Sequence, residues 1–245
     1  SYYITNTPEW YLDYGFEIPT HMRGKRCATV QVAKGCPNRC TFCHRWERGY
    51  MARPVDQIVD HIQYLKDQYN VGFIRMSDES FGSNRKTTME LASHLGKMGI
   101  IWRAGGVRAK SVDRDVLMHW KENGCVAVVY GIESGSQTIL DVMEKNTTVE
   151  INFNAIKWTY EADLVTIIQL VVGMPGETDQ TIQETINFLK TCIPYYPKRF
   201  RGTHTVLLSA NYAQALPGSP LYEYARQNGS IGMIIEEEEK YLLKI

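Results

Sequence analysis

The sequence predicts an α/β protein: a parallel sheet covered by helices, with its chemistry on the loops that follow the strands. Three observations predict it. Six short β-branched or apolar runs alternate with longer segments whose apolar residues recur at helical spacing. Polar or glycine-rich turn clusters follow the strands, at the ends where such sheets gather their active groups. The 245 residues, 44% hydrophobic and 22% charged, suffice for one domain with a sizeable core.

The elements follow in order. A first strand is expected over residues 27–32, then a cysteine-bearing loop and a helix over 54–69. That helix aligns Ile58, Ile62 and Leu65 on one face, with Pro54 near its start. Strand two, 72–76, leads through Ser77-Asp78-Glu79 into a helix over 85–98. Strand three, 100–105, precedes a helix over 113–123 that Gly124 closes. Strand four, 126–132, exits through Glu133-Ser134-Gly135-Ser136 into a helix ending at Met143. Thr147 or Thr148 then caps a helix over 149–161. Strand five, 165–172, ends in Gly173-Met174-Pro175-Gly176-Glu177, followed by a helix over 178–192. A sixth strand over 203–209 and a short helix over 221–228 complete the series. Six such units imply right-handed parallel crossovers, which either a curled barrel-like sheet or an open doubly wound one satisfies.

Residues 1–25 read as an aromatic-rich lead-in, 26–230 as the core and 231–245 as a tail. The tail's run Glu236 to Glu239 reads as a solvated face. Lys plus Arg and Asp plus Glu each number 27, so no basic footprint for nucleic acid exists. No apolar run approaches the roughly 18 residues of a membrane span. Opening on Ser1, without a signal-peptide pattern, the chain is expected to be an excised cytoplasmic core.

Of six cysteines, Cys36, Cys40 and Cys43 fall within eight residues, whereas Cys27, Cys125 and Cys192 are scattered among apolar neighbours. Such clustering indicates a metal site rather than a disulfide framework, and leaves the scattered three as inert buried thiols. Soft thiolates suit iron–sulfur clusters, zinc or copper(I). No nearby fourth cysteine exists, so a cubane cluster would keep one iron open to a small molecule. The zinc alternative recruits His44 or His21, although His44 directly follows Cys43 and adjacent ligands strain a tetrahedron. An electron-transfer module would instead call for a saturated four-cysteine cluster.

The loop Cys36-x-x-x-Cys40-x-Phe42-Cys43 after a first strand resembles the signature of the radical S-adenosylmethionine (SAM) superfamily. The likeness extends over about residues 25–230. It is nearest to the branch in which a cobalamin-binding domain often precedes the core, through four further stretches. These are Met76-Ser77-Asp78-Glu79-Ser80-Phe81, Gly131-Ile132-Glu133-Ser134-Gly135-Ser136, Gly173-Met174-Pro175-Gly176-Glu177-Thr178 and Leu216-Pro217-Gly218-Ser219-Pro220-Leu221-Tyr222. The resemblance implies a partial (βα)6 TIM-like barrel with parallel strands. It implies a [4Fe–4S] cluster on Cys36, Cys40 and Cys43, with SAM on the fourth iron and reductive cleavage to a 5′-deoxyadenosyl radical. A small-molecule or peptide substrate and an external donor, flavodoxin or ferredoxin, follow from that chemistry. Two departures stand out. Ala33-Lys34 replaces the branch's common Ser-Arg, and no Asp-x-His-x-x-Gly cobalamin motif occurs. Cobalamin-dependent methyl transfer therefore requires a domain outside this chain, and a cyclase remains equally open.

The same resemblance assigns roles. Phe42 would lie beside adenine, and Ser77, Asp78 and Glu79 would meet the SAM amino group; helix capping is the alternative for Ser77 or Asp78. Glu133, costly after an apolar run unless paired or wet, would meet the ribose or the methionine part. Arg108, or else Arg103, would pair with the SAM carboxylate. Gly173, Met174 and Pro175 would offer backbone to adenine. Tyr130, Tyr212 and His204 stand at strand ends, where packing is the ordinary role and hydrogen donation the alternative.

Overall fold

In the computed structural model, residues 3–44, 49–196, 208–232 and 234–243 are described. The chain runs β1 (Ile4–Thr5), α1 (Glu9–Asp13), β2 (Arg26–Val30), β3 (Ala33–Cys36), β4 (Gly49–Ala52), α2 (Val55–Tyr69) and β5 (Val71–Met76). It continues α3 (Arg85–Lys97), β6 (Ile101–Val107), α4 (Arg114–Glu122), β7 (Cys125–Glu133), α5 (Gln137–Val142) and α6 (Val149–Glu161). Last come β8 (Val165–Val172), α7 (Asp179–Cys192), β9 (Leu208–Tyr212), α8 (Pro220–Gln227) and α9 (Ile235–Leu242). Strands β2, β5, β6, β7, β8 and β9 lie side by side in that order, all parallel, and β1 pairs antiparallel with the β2 edge. The sheet curls into a half-barrel with helices outside, so the curled alternative of the sequence reading is the one realised.

Side-chain alternation divides the strands between two cores. Ala28, Val30, Ile74, Met76, Trp102 and Val128 point outward and pack on Ile58, Ile62, Leu65, Leu91 and Leu95 of α2 and α3. Cys27, Phe73, Ala127 and Val165, near the strand starts, point inward and pack on Trp10, Tyr11, Tyr14 and Met22. The aromatic lead-in thus closes the amino end of the half-barrel, with Trp10 Nε1 donating to Cys27 Sγ at 3.1 Å. Each Val, Leu, Ile, Phe or Met side chain among them removed from water is worth roughly 1.5–3 kcal/mol.

Helix starts are chemically specified. Asn84, Asp113, Thr148 and Ser219 each accept from a backbone N–H of the first turn. Thr178 and Thr181 cap one another at α7. Asn84 caps α3, so neither Ser77 nor Asp78 does, and that alternative falls. The acidic tail forms α9, where Glu236, Glu237 and Glu238 occupy the first turn and favour the helix dipole. Tyr222 of α8 donates to Glu238, and the Ala215 N–H donates to Tyr241 Oη at 2.9 Å.

Three expectations shift. The first strand ends at Val30 rather than 32, because the chain turns there and the Val32 and Ala33 N–H groups donate to Asp78 Oδ1 at 2.7 and 3.3 Å. Cys36 then sits at the end of β3, which pairs antiparallel with β4 as a hairpin that the βα period does not announce. The sixth strand is described from Leu208 to Tyr212; 203–207, with His204, lie outside the described residues. Among the described residues no helix is long and apolar enough to cross a membrane.

Candidate metal centre and cofactor face

The cysteine loop is fastened at both ends. On one side, the hairpin pairs Cys36 with Gly49. On the other, the Thr41 N–H donates to Met143 O and its hydroxyl to Val142 O, both at 2.9 Å, tying the loop to the end of α5. The Leu221 N–H donates to Thr41 O at 2.9 Å, and His44 Nδ1 lies 2.6 Å from Pro217 O. The late segment noted in the sequence, 216–222, therefore serves as a brace for the loop.

All three loop thiols are free of disulfides; Cys40 is buried, Cys36 half-buried and Cys43 exposed. Asn38 Nδ2 donates to Cys36 Sγ at 3.3 Å, and Arg108 Nη1 donates to Cys40 Sγ at 3.6 Å. Desolvation of its sulfur, then the neighbouring Cys40 and Cys36 sulfurs, push the Cys43 thiol up, while Lys145 pulls it down. Cys43 lies within electrostatic reach of Cys40, Cys36 and Lys145, and Cys40 accepts from Arg108, an arrangement suited to holding an anionic group that deprotonates the thiols. Among the described residues no three His, Cys, Asp or Glu side chains surround a single ion position. His44 is engaged by Pro217, and His21 lies in the lead-in before β2. The choice between zinc and an iron–sulfur cluster therefore rests on the number and spacing of the thiols rather than on this geometry.

Next to the thiols stands a buried ion pair. Lys145 Nζ donates to Glu133 Oε1 at 2.7 Å, with side chains only 9% and 10% exposed. Glu133 sits at φ 66°, turning the β7 exit so that the carboxylate meets this partner. Gly131 makes room: a Cβ there would lie 3.1 Å from Lys145 Nζ and closer still to the carboxylate. Lys145 also lies 5.9 Å from the centre of the Phe42 ring. The sequence required Glu133 to be paired or wet; its pairing with Lys145, twelve residues on, was not foreseen. The left-handed turn residues Glu144 and Asn146, at φ 47° and 52°, bring it back.

The other expected contacts separate. Arg108 is buried and donates to Lys145 O as well as to Cys40, so it braces the thiol and the ion-pair loop. Arg103 is not at the cofactor face; it donates to Tyr14 of the lead-in. The Gly173 N–H is taken by Glu177, and Met174 is buried against Ile139, Met143 and Leu221, with Pro175 half-buried beyond it. Tyr130 points outward to Thr159 at 2.9 Å, and Tyr212 is 84% exposed at the β9 end. Ser77 and Glu79 are exposed after β5, whereas Asp78 is buried between them.

Asp78 is the strained member of that trio. Burial raises its carboxyl from 3.8 to about 6, only partly offset by the Val32 and Ala33 N–H donors, and Oδ2 finds no partner. Because the folded value lies above the unfolded one, its favourable contribution is complete below about pH 3.8 and is lost as pH rises through about 6. Asp78→Asn is expected to remove the fall in stability between pH 4 and 6 and to raise stability at pH 8 by about 1–2 kcal/mol. Urea midpoints of both proteins across that range measure it; parallel curves would contradict a raised carboxyl.

The chain matches the radical SAM superfamily over residues 30–189. It is 36% identical over 172 residues to the anaerobic magnesium-protoporphyrin IX monomethyl ester cyclase of Cereibacter sphaeroides, covering 66% of this chain and 28% of that protein. Its fold is similar to the radical SAM methyltransferase TsrM of Kitasatospora setae, with TM-score 0.70 and 17% identity over 84% of this chain and 38% of that one. It is also similar to the cobalamin-dependent radical enzyme OxsB, with TM-score 0.66 and 19% identity over 86% of this chain and 37% of that one. The chain therefore spans well under half the length of these relatives. Joined to a parallel half-barrel whose cysteine loop stands at the carboxyl ends of its strands, the match establishes that the chain belongs to the radical SAM superfamily.

Proposed function

We propose that this chain is a catalytic core that cleaves SAM reductively at a [4Fe–4S] cluster held by Cys36, Cys40 and Cys43. The carrying observation is the loop of three free thiols, with Cys43 within electrostatic reach of Cys40, Cys36 and Lys145 and with Arg108 donating to Cys40. The cluster, once bound, would supply one electron to the sulfonium of SAM, yielding methionine and a 5′-deoxyadenosyl radical that abstracts hydrogen.

The chain's own groups set the conditions. Arg108 and Lys145 offset the charge of three thiolates in a desolvated setting. Ser77 and Glu79, exposed after β5, offer oxygen acceptors to an ammonium group, while Asp78 holds the β2–β3 turn to β5. Half-buried Phe42 provides apolar surface for a purine, and the backbone at Gly173, Met174 and Pro175 would meet its edge. The Glu133–Lys145 pair fixes the β7 exit, where the ribose hydroxyls or the methionine part of SAM would arrive. Electrons would come from a flavodoxin or ferredoxin, and the substrate would be a small molecule or peptide. The relatives include a cyclase and methyltransferases, which supports a reaction of one of these kinds in a larger protein; cobalamin would then be held outside this chain.

Anaerobic reconstitution with iron and sulfide, followed by reduction and electron paramagnetic resonance with and without SAM, tests this. A [4Fe–4S]⁺ signal that shifts on adding SAM is expected, together with 5′-deoxyadenosine, and both should vanish in Cys40→Ala. A signal indifferent to SAM would instead mark an electron-transfer module. Stoichiometric zinc binding without iron would mark a zinc-stabilised α/β domain.

A further inference from the structure

On the inner face of the half-barrel, three polar residues stand in register across three strands. Thr29 of β2 is the Cα partner of Arg75 of β5, and Arg75 is the Cα partner of Arg103 of β6. Their neighbours Val30, Met76, Trp102 and Ala104 point the other way, into the helix-covered core. Both guanidinium groups therefore project to one side, from strands that lie roughly 4.8 Å apart.

Like charges directly opposite on a sheet oppose folding, and partial burial sharpens the cost. The usual remedy is a direct ion pair, and among the described residues neither arginine forms one, although two carboxylates line the same cavity. Arg75 Nε donates to Thr29 Oγ1 at 3.2 Å and its guanidinium lies 5.7 Å from the Tyr3 ring centre. Arg103 donates to Tyr14 and lies 5.6 Å from the Trp10 ring centre, but its buried Nε has no partner. Aromatic faces and hydroxyls orient these cations without neutralising them.

Both arginines and Thr29 line a cavity of about 260 Å³ between the sheet and the lead-in. Glu9 and Asp13 also line it, and both are exposed. Fixed guanidinium forks beside a hydroxyl match the planar, bidentate geometry of a carboxylate. The two rim carboxylates repel multiply charged anions, so phosphate is disfavoured relative to a singly charged group. We infer that Thr29, Arg75 and Arg103 form a binding site for the carboxylate of a small organic molecule. None of the residues lining this cavity belongs to the cysteine loop.

The test uses the ¹⁵N-labelled chain without metal, titrated at fixed ionic strength with acetate, inorganic phosphate or chloride. The readout is the arginine Nε–Hε cross-peaks of Arg75 and Arg103, assigned through Arg75→Lys and Arg103→Lys. Acetate is expected to move both peaks saturably, with phosphate weaker and chloride without saturable effect. Each lysine variant keeps the charge but loses the fork, and should weaken acetate binding about tenfold, as seen by the remaining arginine. Peaks that stay still, or respond equally to chloride, would overturn the site, and tighter phosphate binding would overturn the carboxylate assignment. Unchanged affinity in both lysine variants would overturn the paired-fork geometry. Should one variant fail to fold, the other still decides.

Discussion

Lys145→Met is expected to destabilise the fold by about 3–5 kcal/mol, because it strands a buried carboxylate. Glu133 and Lys145 have side chains only 10% and 9% exposed, and the pair is joined at 2.7 Å. Methionine preserves the length and most of the packing of lysine, so the lost term is the charge. Glu133 has no easy escape to water: its φ of 66° turns the carboxylate into the fold, and Ile132 and Ser134 on either side are buried. The double variant Lys145→Met/Glu133→Gln should recover most of the loss, since replacing both members of a buried pair is far less costly than removing one. Urea denaturation of the four proteins of the cycle gives the coupling directly. A loss below about 1 kcal/mol in the single variant would mean the pair behaves like a solvated surface bridge. A second consequence concerns the thiols. Lys145 lowers the Cys43 thiol, so its removal should leave that thiol harder to ionise and slow its alkylation at neutral pH.

The regular part of the fold was legible because its periodicity is strong. Five of the six parallel strands and the helices between them fall within a few residues of the positions that β-branched runs and helical spacing predict. The misses share a physical origin: they are contacts between segments distant in sequence. The β3–β4 hairpin has only Ala-Lys-Gly-Cys and Gly-Tyr-Met-Ala to announce it, neither with a strand's alternation of apolar and polar residues. The lead-in's aromatics were visible, but not that Trp10, Tyr11 and Tyr14 would seat on Phe73 and Ala127 inside the barrel. Composition does not reveal which surface an aromatic covers.

The candidate site was legible in its donors and less so in its surroundings. Three clustered cysteines without a fourth are a local signal, and the structure keeps them together. Roles that depend on direction were not readable. Asp78 follows a strand, yet its carboxylate turns back to Val32 and Ala33 rather than toward open space. Arg108 and Arg103 both belong to the third unit, but one reaches Cys40 and the other Tyr14. Glu133 carried the energetic warning that it must be paired or wet, and in the structure it is paired, with Lys145. Finding Lys145 needed the backbone of the turn at Glu144 and Asn146.

Gly106→Ala is expected to cost more than about 3 kcal/mol and to abolish SAM-dependent signals, for a steric reason that can be isolated. Gly106 has φ 70°, and a Cβ there would fall well inside 3.0 Å of the Asp78 carbonyl oxygen. The obstacle is backbone, so no side-chain rotation relieves it. β6 bulges here, its register with β7 shifting between Ala104 and Val107, and Phe81 bridges to Val107 just beyond. The bulge lies directly under the loop that carries Ser77, Asp78 and Glu79, so an added methyl must lift that loop from the cofactor face. The left-handed conformation alone costs an alanine roughly 1–2 kcal/mol. Gly229→Ala supplies the control, since Gly229 has φ 76° but nothing within 4 Å of where its methyl carbon would stand. Gly229→Ala should lose only the conformational share and retain 5′-deoxyadenosine formation. Equal destabilisation in the two variants would show that the close approach of β6 to the Asp78 carbonyl does not constrain the site.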